Sequence, residues 1–209
     1  MYFSRLLYPV TVLGPGKRAG LWLCGCSRNC FNCANPELQE YNESNNIPIS
    51  SVISLVSSLP SEVSGYTITG GEPFDQTEEL AELITFLNTV TDDILVYSGY
   101  TYNELLIRKD DTTNYILDNI AVLIDGRYDE NLNFGNKLKG SENQKVYVFR
   151  EKYKCIYEKL DVCSESSRQT EGFICNDGSI ITAGFQGKNF KNDFNILLKH
   201  NITKRNDRE

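Results

Sequence analysis

"AGLWLCGCSRNCFNC", residues 19 to 33, joins an apolar run to four cysteines that fall within ten residues. The run over 19–25 reads as a strand, and Cys26, Cys30 and Cys33 follow it with the spacing C-x3-C-x2-C. Three holders are open to such thiols: a disulfide, a zinc ion or an iron–sulfur cluster. The rest of the chain decides among them.

Outward from that loop, β-rich runs alternate with helical periods. "GYTITG" (65–70), "DILVYSG" (93–99), "AVLIDG" (121–126) and "KVYVFR" (145–150) are further strands, rich in β-branched and aromatic residues and mostly closed by glycine. In "TEELAELITFLNTV" Leu80, Leu83, Ile84 and Leu87 recur at helical spacing, with Glu78 and Glu79 at the positive end of the helix dipole. Thr101 and Glu104 have the capping-box spacing of a second helix, and "SSVISLVSSLP" is a shorter one ended before Pro60. Strand, helix, strand, helix predicts an α/β fold with a mostly parallel sheet and crossover helices.

Ligands of such sheets sit at the carboxyl ends of the strands, where loops vary on a rigid support. The unusual residues share that edge. The cysteine loop follows the first of these strands, "GGEPFDQ" the second, "SGYT" the third and "DGRYDE" the fourth.

Around residue 150 the pattern changes. "EKYKCIYEKLDVCSESSRQTEG" is polar and weakly periodic, "FICNDGSIIT" reads as a hairpin around an Asn-Asp-Gly turn, and "NDFNILLKHN" as a final helix. The expected organisation is a core over 1–150 and a C-terminal α+β extension over 151–209 with a frayed end.

The chain has 209 residues, 40% of them hydrophobic, which suits one catalytic core burying roughly 70% of its unfolded surface. No apolar stretch approaches the roughly 20 residues of a membrane span, and no cleavage site follows the first residues, so a cytoplasmic location is expected. With 28 acidic against 21 basic residues the net charge is −7, which disfavours nucleic-acid binding by counterion release. Seven cysteines without an export signal point to reduced thiols, so the cluster reads as metal-binding or catalytic rather than as a disulfide framework. His200 is the single histidine and lies in a polar C-terminal run, which leaves histidine triads, two-histidine metal sites and histidine bases little to work with.

Three thiolates on one loop can each bind a corner iron of a [4Fe-4S] cube, and full ligation normally takes four cysteines. A three-cysteine loop therefore leaves one iron open to a ligand. Cys24 would close the site as a fourth ligand, but alternation along "LWLCG" sets it beside Trp22 on one strand face, as a buried thiol. In "TGGEP" (69–73) successive glycines permit close approach to the backbone, Pro73 fixes the exit and Glu72 supplies a carboxylate; alone it also reads as a tight turn before a helix.

These residues resemble the radical S-adenosylmethionine superfamily, whose hallmarks are C-x3-C-x2-C after the first strand and Gly-Gly-Glu-Pro after the second. "GCSRNCFNCANPELQ", "TGGEPFDQ", "VYSGYT", "LIDGRYDE" and "GSENQ" together look like the small activating proteins of anaerobic ribonucleotide reductase and other glycyl radical enzymes, over residues from about 9 to 150. The resemblance implies a partial (β/α) barrel holding a [4Fe-4S] cluster and S-adenosyl-L-methionine. It implies reductive cleavage to a 5′-deoxyadenosyl radical, a glycyl radical enzyme as partner, and a reduced flavodoxin or ferredoxin type electron donor. By the same carry-over Cys26, Cys30 and Cys33 hold the cluster, and Gly70, Gly71, Glu72 and Pro73 line the amino end of the cofactor. Ser98 and Gly99 lie near its ribose, and Ser141, Asn143 and Gln144 offer polar groups on the strand edge.

Some features depart from the pattern. Asn32 stands before the third cysteine, where many radical enzymes have an aromatic residue on the adenine, and Phe31 sits one earlier. Cys155, Cys163 and Cys175 in the extension lack metal-like spacing. Asp125 reads as facing the partner's glycine loop, as holding Arg127, or as ordinary turn chemistry; Lys17 and Arg18 read as solvated charges on a glycine-proline turn ahead of contact with cofactor or partner. Two other readings stand beside the leading one: radical chemistry on a peptide or small metabolite, and a binding protein with a structural four-cysteine zinc site.

Overall fold

The computed structural model describes residues 1–163, 169–175, 178–186, 190 and 194. Its centre is a six-stranded sheet in sequential order: β1 (Phe3–Val10), β2 (Arg18–Leu23), β3 (Gly65–Gly70), β4 (Ile94–Ser98), β5 (Val122–Asp125) and β6 (Lys145–Val148). β2 to β5 run parallel, while β1 and β6 close the two edges antiparallel. Crossovers carry α1 (Ile49–Ser57), α2 (Thr77–Leu87), α3 (Tyr102–Arg108) and α4 (Asp111–Asn119). α5 (Glu151–Leu160) follows the sheet, then an antiparallel hairpin of β7 (Thr170–Ile174) and β8 (Ile180–Gly184).

Period-2 alternation sorts each central strand onto two cores. Ala19, Leu21 and Leu23 of β2, with Ile94 and Val96 of β4 and Leu123 of β5, face Val52, Leu80, Leu83, Ile84, Leu87 and Ile116 of the crossover helices. The intervening residues face the other way. Trp22 and Cys24 pack with Val10, Leu38 and Ala183, and Leu95, Tyr97, Val122 and Ile124 pack with Tyr157 of α5. A sheet covered on both faces needs strands apolar at nearly every position, and "GLWL", "ILVYS" and "VLID" are such runs.

Three elements go beyond the sequence reading. β1 precedes the strand that feeds the cysteines, so that strand is the second of the sheet. α4 is capped by Asp110, whose Oδ1 accepts the Thr113 N–H at 2.6 Å. α5 occupies the segment read as weakly periodic, because Tyr153, Tyr157 and Leu160 line one face against the sheet while its lysines face solvent. The hairpin forms as expected, although its turn residues 176 and 177 lie outside the described residues. So do His200 and nearly all of the expected final helix.

Arg18 corrects the reading of a solvated turn: it is fully buried at the amino end of β2. Its Nη1 donates to Asp93 Oδ2 at 2.8 Å, its Nε to Thr67 Oγ1 at 2.7 Å and its Nη2 to the Asp93 carbonyl at 2.9 Å. The Tyr157 hydroxyl donates to Asp93 Oδ1 at 2.6 Å, tying α5 to the same pair. Gly65 leaves room for it, since a Cβ there would stand 2.4 Å from Arg18 Nη1. This network lies at the end of the sheet away from the cysteines and fixes the strands that present them.

Candidate iron–sulfur and cofactor site

The cysteine loop leaves β2 at Leu23 and is pinned at its base. Gly25 N–H donates to the Leu38 carbonyl and Cys26 N–H to the Gln39 carbonyl, both at 2.9 Å, so residues 26 to 38 form a closed loop. Gln39 Nε2 donates to the Cys30 carbonyl at 3.2 Å from inside it. Asn29 and Asn32 have φ of 44° and 51°, a left-handed turn directly before each of Cys30 and Cys33. Asparagine tolerates that conformation better than most side chains, which gives the repeated "NC" a structural reason.

Cys26, Cys30 and Cys33 are partly exposed, whereas Cys24 is buried beside Trp22 as alternation predicted. Burial pushes the Cys26 thiol up, opposed by N–H donation from Arg28 and Asn29. Burial likewise raises Cys33, opposed by the Asn35 N–H, which lies 3.5 Å from its Sγ. Such N–H donors stabilise the thiolate that metal binding requires. Among the described residues no three His, Cys, Asp or Glu side chains form a group around a single-ion site. A cube makes a different demand, because each thiolate binds its own iron.

The Gly-Gly-Glu-Pro turn is docked on this loop. The Gly71 N–H donates to the Leu23 carbonyl at 2.8 Å and the Glu72 N–H to the Gly25 carbonyl at 2.9 Å, extending the β2–β3 ladder past the end of the strand. Gly70 has φ of +106°, and a Cβ on Gly71 would stand 2.2 Å from the Gly25 oxygen. The close approach that the glycines permit is therefore, in the first place, to the cysteine loop's own backbone. Pro73 opens a 3-10 turn, Pro73–Asp75, capped by Glu72.

Glu72 is buried. Its Oε1 accepts from Phe74 N at 3.0 Å and Ser98 Oγ at 2.9 Å, and its Oε2 accepts from Gly99 N at 2.6 Å. Burial outweighs these donors and pushes its pKa up to about 7. One carboxylate thus joins the ends of β3 and β4. Asp75 does the same for the loop: it accepts from Ser27 N at 2.7 Å and from the Tyr100 hydroxyl at 2.8 Å. The Tyr41 hydroxyl, 3.5 Å from Asp75, is pushed up to about 12 by burial and that carboxylate. Arg28 and Arg108 sit over the Tyr100 ring at 4.3 and 4.1 Å. Asp75, Tyr100 and Arg28 lie inside the quoted motifs, but the sequence assigns them no role, because their partners sit on other loops.

The loop after β5 is held by "GSENQ". Gln144 Oε1 accepts from Gly140 N at 2.9 Å and its Nε2 donates to the Gly126 carbonyl at 2.8 Å. Asn143 Nδ2 donates to the Arg127 carbonyl at 2.8 Å, and Ser141 Oγ accepts from Asp129 N at 3.1 Å. Arg127 in turn donates to the Arg28 carbonyl on the cysteine loop. Asp125 is buried and accepts from Tyr102 N at 2.6 Å and Lys145 N at 3.1 Å, so its carboxylate anchors α3 and β6. This favours the turn reading over contact with Arg127.

Between the cysteine loop and the 128–133 loop lies a cavity of about 550 Å³, lined by Cys30, Cys33, Tyr128 and Glu130 and also by Phe185 and Gln186. A second space of about 510 Å³ shares Cys30, Phe31, Tyr128 and Glu130 with it and is lined also by Arg127, Asp129 and Asn143. Of the expected site residues, Cys30, Cys33 and Asn143 line these spaces. Cys26, Gly70, Gly71, Glu72, Pro73, Ser98, Gly99, Ser141 and Gln144 line neither of them. Among the described residues no helix is long and apolar enough to cross a membrane.

A mostly parallel sheet whose carboxyl edge carries three thiols beside a Gly-Gly-Glu-Pro turn defines an iron–sulfur protein of the radical S-adenosylmethionine type. The chain belongs to the 4Fe-4S single cluster domain family, which matches residues 12–147. It is similar to the anaerobic ribonucleoside-triphosphate reductase-activating protein of Enterobacteria phage T4, 30% identical over 153 residues, covering 70% of this chain and 94% of the relative. Proteins of the same description in Vibrio cholerae and Escherichia coli K12 are 28% and 26% identical, each over 68% of this chain and 95% and 96% of the relative. No solved structure matches the chain significantly.

Proposed function

We propose that this protein activates an anaerobic ribonucleotide reductase by generating a glycyl radical on it. Cys26, Cys30 and Cys33 hold a [4Fe-4S] cluster with one iron left for S-adenosylmethionine. Held there and reduced, the cluster would supply the single electron needed for reductive cleavage of S-adenosylmethionine and so for hydrogen abstraction from the partner's glycine. The electron comes from a reduced flavodoxin or ferredoxin type donor, and the setting is cytoplasmic, where the thiols stay reduced.

The chain's own residues bind and orient. Gly70, Gly71, Glu72 and Pro73 shape the wall at the amino end of the cofactor, Ser98 and Gly99 continue it toward the ribose, and Ser141, Asn143 and Gln144 hold the loop that closes the far side. The observation that carries this reading is the Gly71–Leu23 and Glu72–Gly25 pairing, which joins the turn to the thiol loop as one unit. A four-thiolate zinc site draws no support, because Cys24 is directed into an apolar cluster behind the strand.

The test is anoxic incubation of the reduced, reconstituted protein with S-adenosylmethionine and the reductase. Formation of 5′-deoxyadenosine together with a glycyl radical signal in the electron paramagnetic resonance spectrum is expected. 5′-Deoxyadenosine without any radical on the reductase would redirect the chemistry to another substrate.

A further inference from the structure

The hairpin that follows the family-matched segment reaches the cysteine loop. β8 ends at Gly184, and the next two residues, Phe185 and Gln186, line the cavity that also holds Cys30 and Cys33. The family match stops at residue 147, so this wall belongs to a part of the chain that the match does not cover.

Its position is built from several contacts. Gly184 has φ of +107°, and a Cβ there would stand 2.3 Å from the Gln169 oxygen, so a glycine turns the chain toward the cavity. The Phe185 ring meets Tyr97 edge-on, with centroids 5.8 Å apart, and the Tyr97 hydroxyl donates to the Leu138 carbonyl at 2.8 Å. Asn133 Nδ2 donates at 3.1 Å both to the Gln186 carbonyl and to the Tyr128 hydroxyl, fixing the hairpin to the 128–133 loop. On the neighbouring strand at the same end of the hairpin, Glu171, paired with Ala183, accepts from Thr11 N at 3.0 Å.

The lining chemistry is selective. The rings of Phe31, Tyr128 and Phe185 stand with the Glu130 carboxylate and the amide side chains of Asn32, Asn133 and Gln186, and among the described residues no lysine or arginine lines the cavity. A flat heteroaromatic base finds ring faces there to stack on.

We propose that Phe185, delivered by the C-terminal hairpin, forms with Tyr128 the face on which the adenine of S-adenosylmethionine stacks. Gln186 and Asn133 act as positioning residues that hold this face against the cluster loop. The proposal rests on the reading of S-adenosylmethionine as cofactor.

The test compares the affinity of the anoxically reconstituted full chain for S-adenosylmethionine in the native protein, Phe185→Leu and Phe185→Tyr, with iron and sulfide measured in each. Stacking is worth roughly 1–3 kcal/mol per base, so Phe185→Leu is expected to weaken binding about tenfold at unchanged cluster content, and Phe185→Tyr to restore it. Equal affinity of Phe185→Leu and the native protein would overturn the adenine face while leaving the cofactor reading intact. A native protein that carries its cluster and binds no S-adenosylmethionine would overturn both. Should Phe185→Leu fail to hold its cluster, hydrogen exchange on the native protein decides. Protection of residues 180–186 by S-adenosylmethionine but not by methionine supports the proposal, and no protection overturns it.

Discussion

Glu72 at the end of β3 accepts the N–H of Gly99 at the end of β4 at 2.6 Å, inside the protein and within the same unit that carries the thiol loop. Burial is the largest cause of a pKa pushed up to about 7 from the ordinary 4.5 of a glutamate. Between those two values the folded protein binds a proton at Glu72 that the unfolded chain has already released. Stability contributed by this group is therefore present below about pH 4.5 and lost as pH rises to about 7.

The expected consequence is a negative slope of stability against pH in the cluster-free protein, worth about 3 kcal/mol across that interval. Glu72→Gln should flatten the slope whatever its effect on absolute stability. Anoxic urea unfolding at several pH values measures it, and an unchanged slope would remove Glu72 as its source.

Gly71→Ala places a methyl group where the Gly25 carbonyl stands, 2.2 Å away. Because the obstruction is backbone, the turn and the thiol loop must separate. Strain of this kind costs on the order of 1–3 kcal/mol, and we expect reconstitution to yield well under half the native iron while circular dichroism still reports a folded sheet. Full iron content would show that the docking of the turn does not govern the cluster.

Arg18 and Asp93 form a buried pair at the opposite end of the sheet, with a 2.8 Å contact. Removing one partner leaves the other unpaired in the core, so Arg18→Met should destabilise by about 3–5 kcal/mol. Asp93→Asn on top of it should cost less than on its own, a coupling that a double-mutant cycle reads directly. Additive losses would mean that the two charges do not interact.

Cysteine variants separate ligands from bystanders. Cys30→Ala should abolish the cluster and S-adenosylmethionine cleavage. Cys163→Ala, at an exposed thiol 3.2 Å from the Phe134 carbonyl, should leave both within about twofold of native, as surface changes usually do. Iron analysis and product chromatography report both.

Much of this was legible in the sequence, and the exceptions have physical reasons. The central strands announced themselves because burial on both faces requires unbroken apolar runs, and α2 because one face of it is all leucine and isoleucine. β1 was hidden by Arg5 and Pro9 in an edge strand that faces partly to solvent. α5 was hidden because its buried face is carried by tyrosines among lysines and glutamates, which average to a polar composition. Arg18 looked like a turn charge because Asp93 lies 75 residues away, and no local pattern encodes that pairing. The thiol loop and its turn were readable because each motif is contiguous. Phe185 and Gln186 were not, since only the pairing of β7 with β8 and the packing of the hairpin on Tyr97 carry them there.

The central claim, a cube held by three thiolates with one iron left for the sulfonium compound, is tested most directly by electron paramagnetic resonance of the reduced, reconstituted protein before and after S-adenosylmethionine is added. About four irons and four sulfides per chain are expected, with a spectrum that changes on addition. A fully loaded cluster whose spectrum does not respond, or a protein holding one zinc and no sulfide, would contradict it.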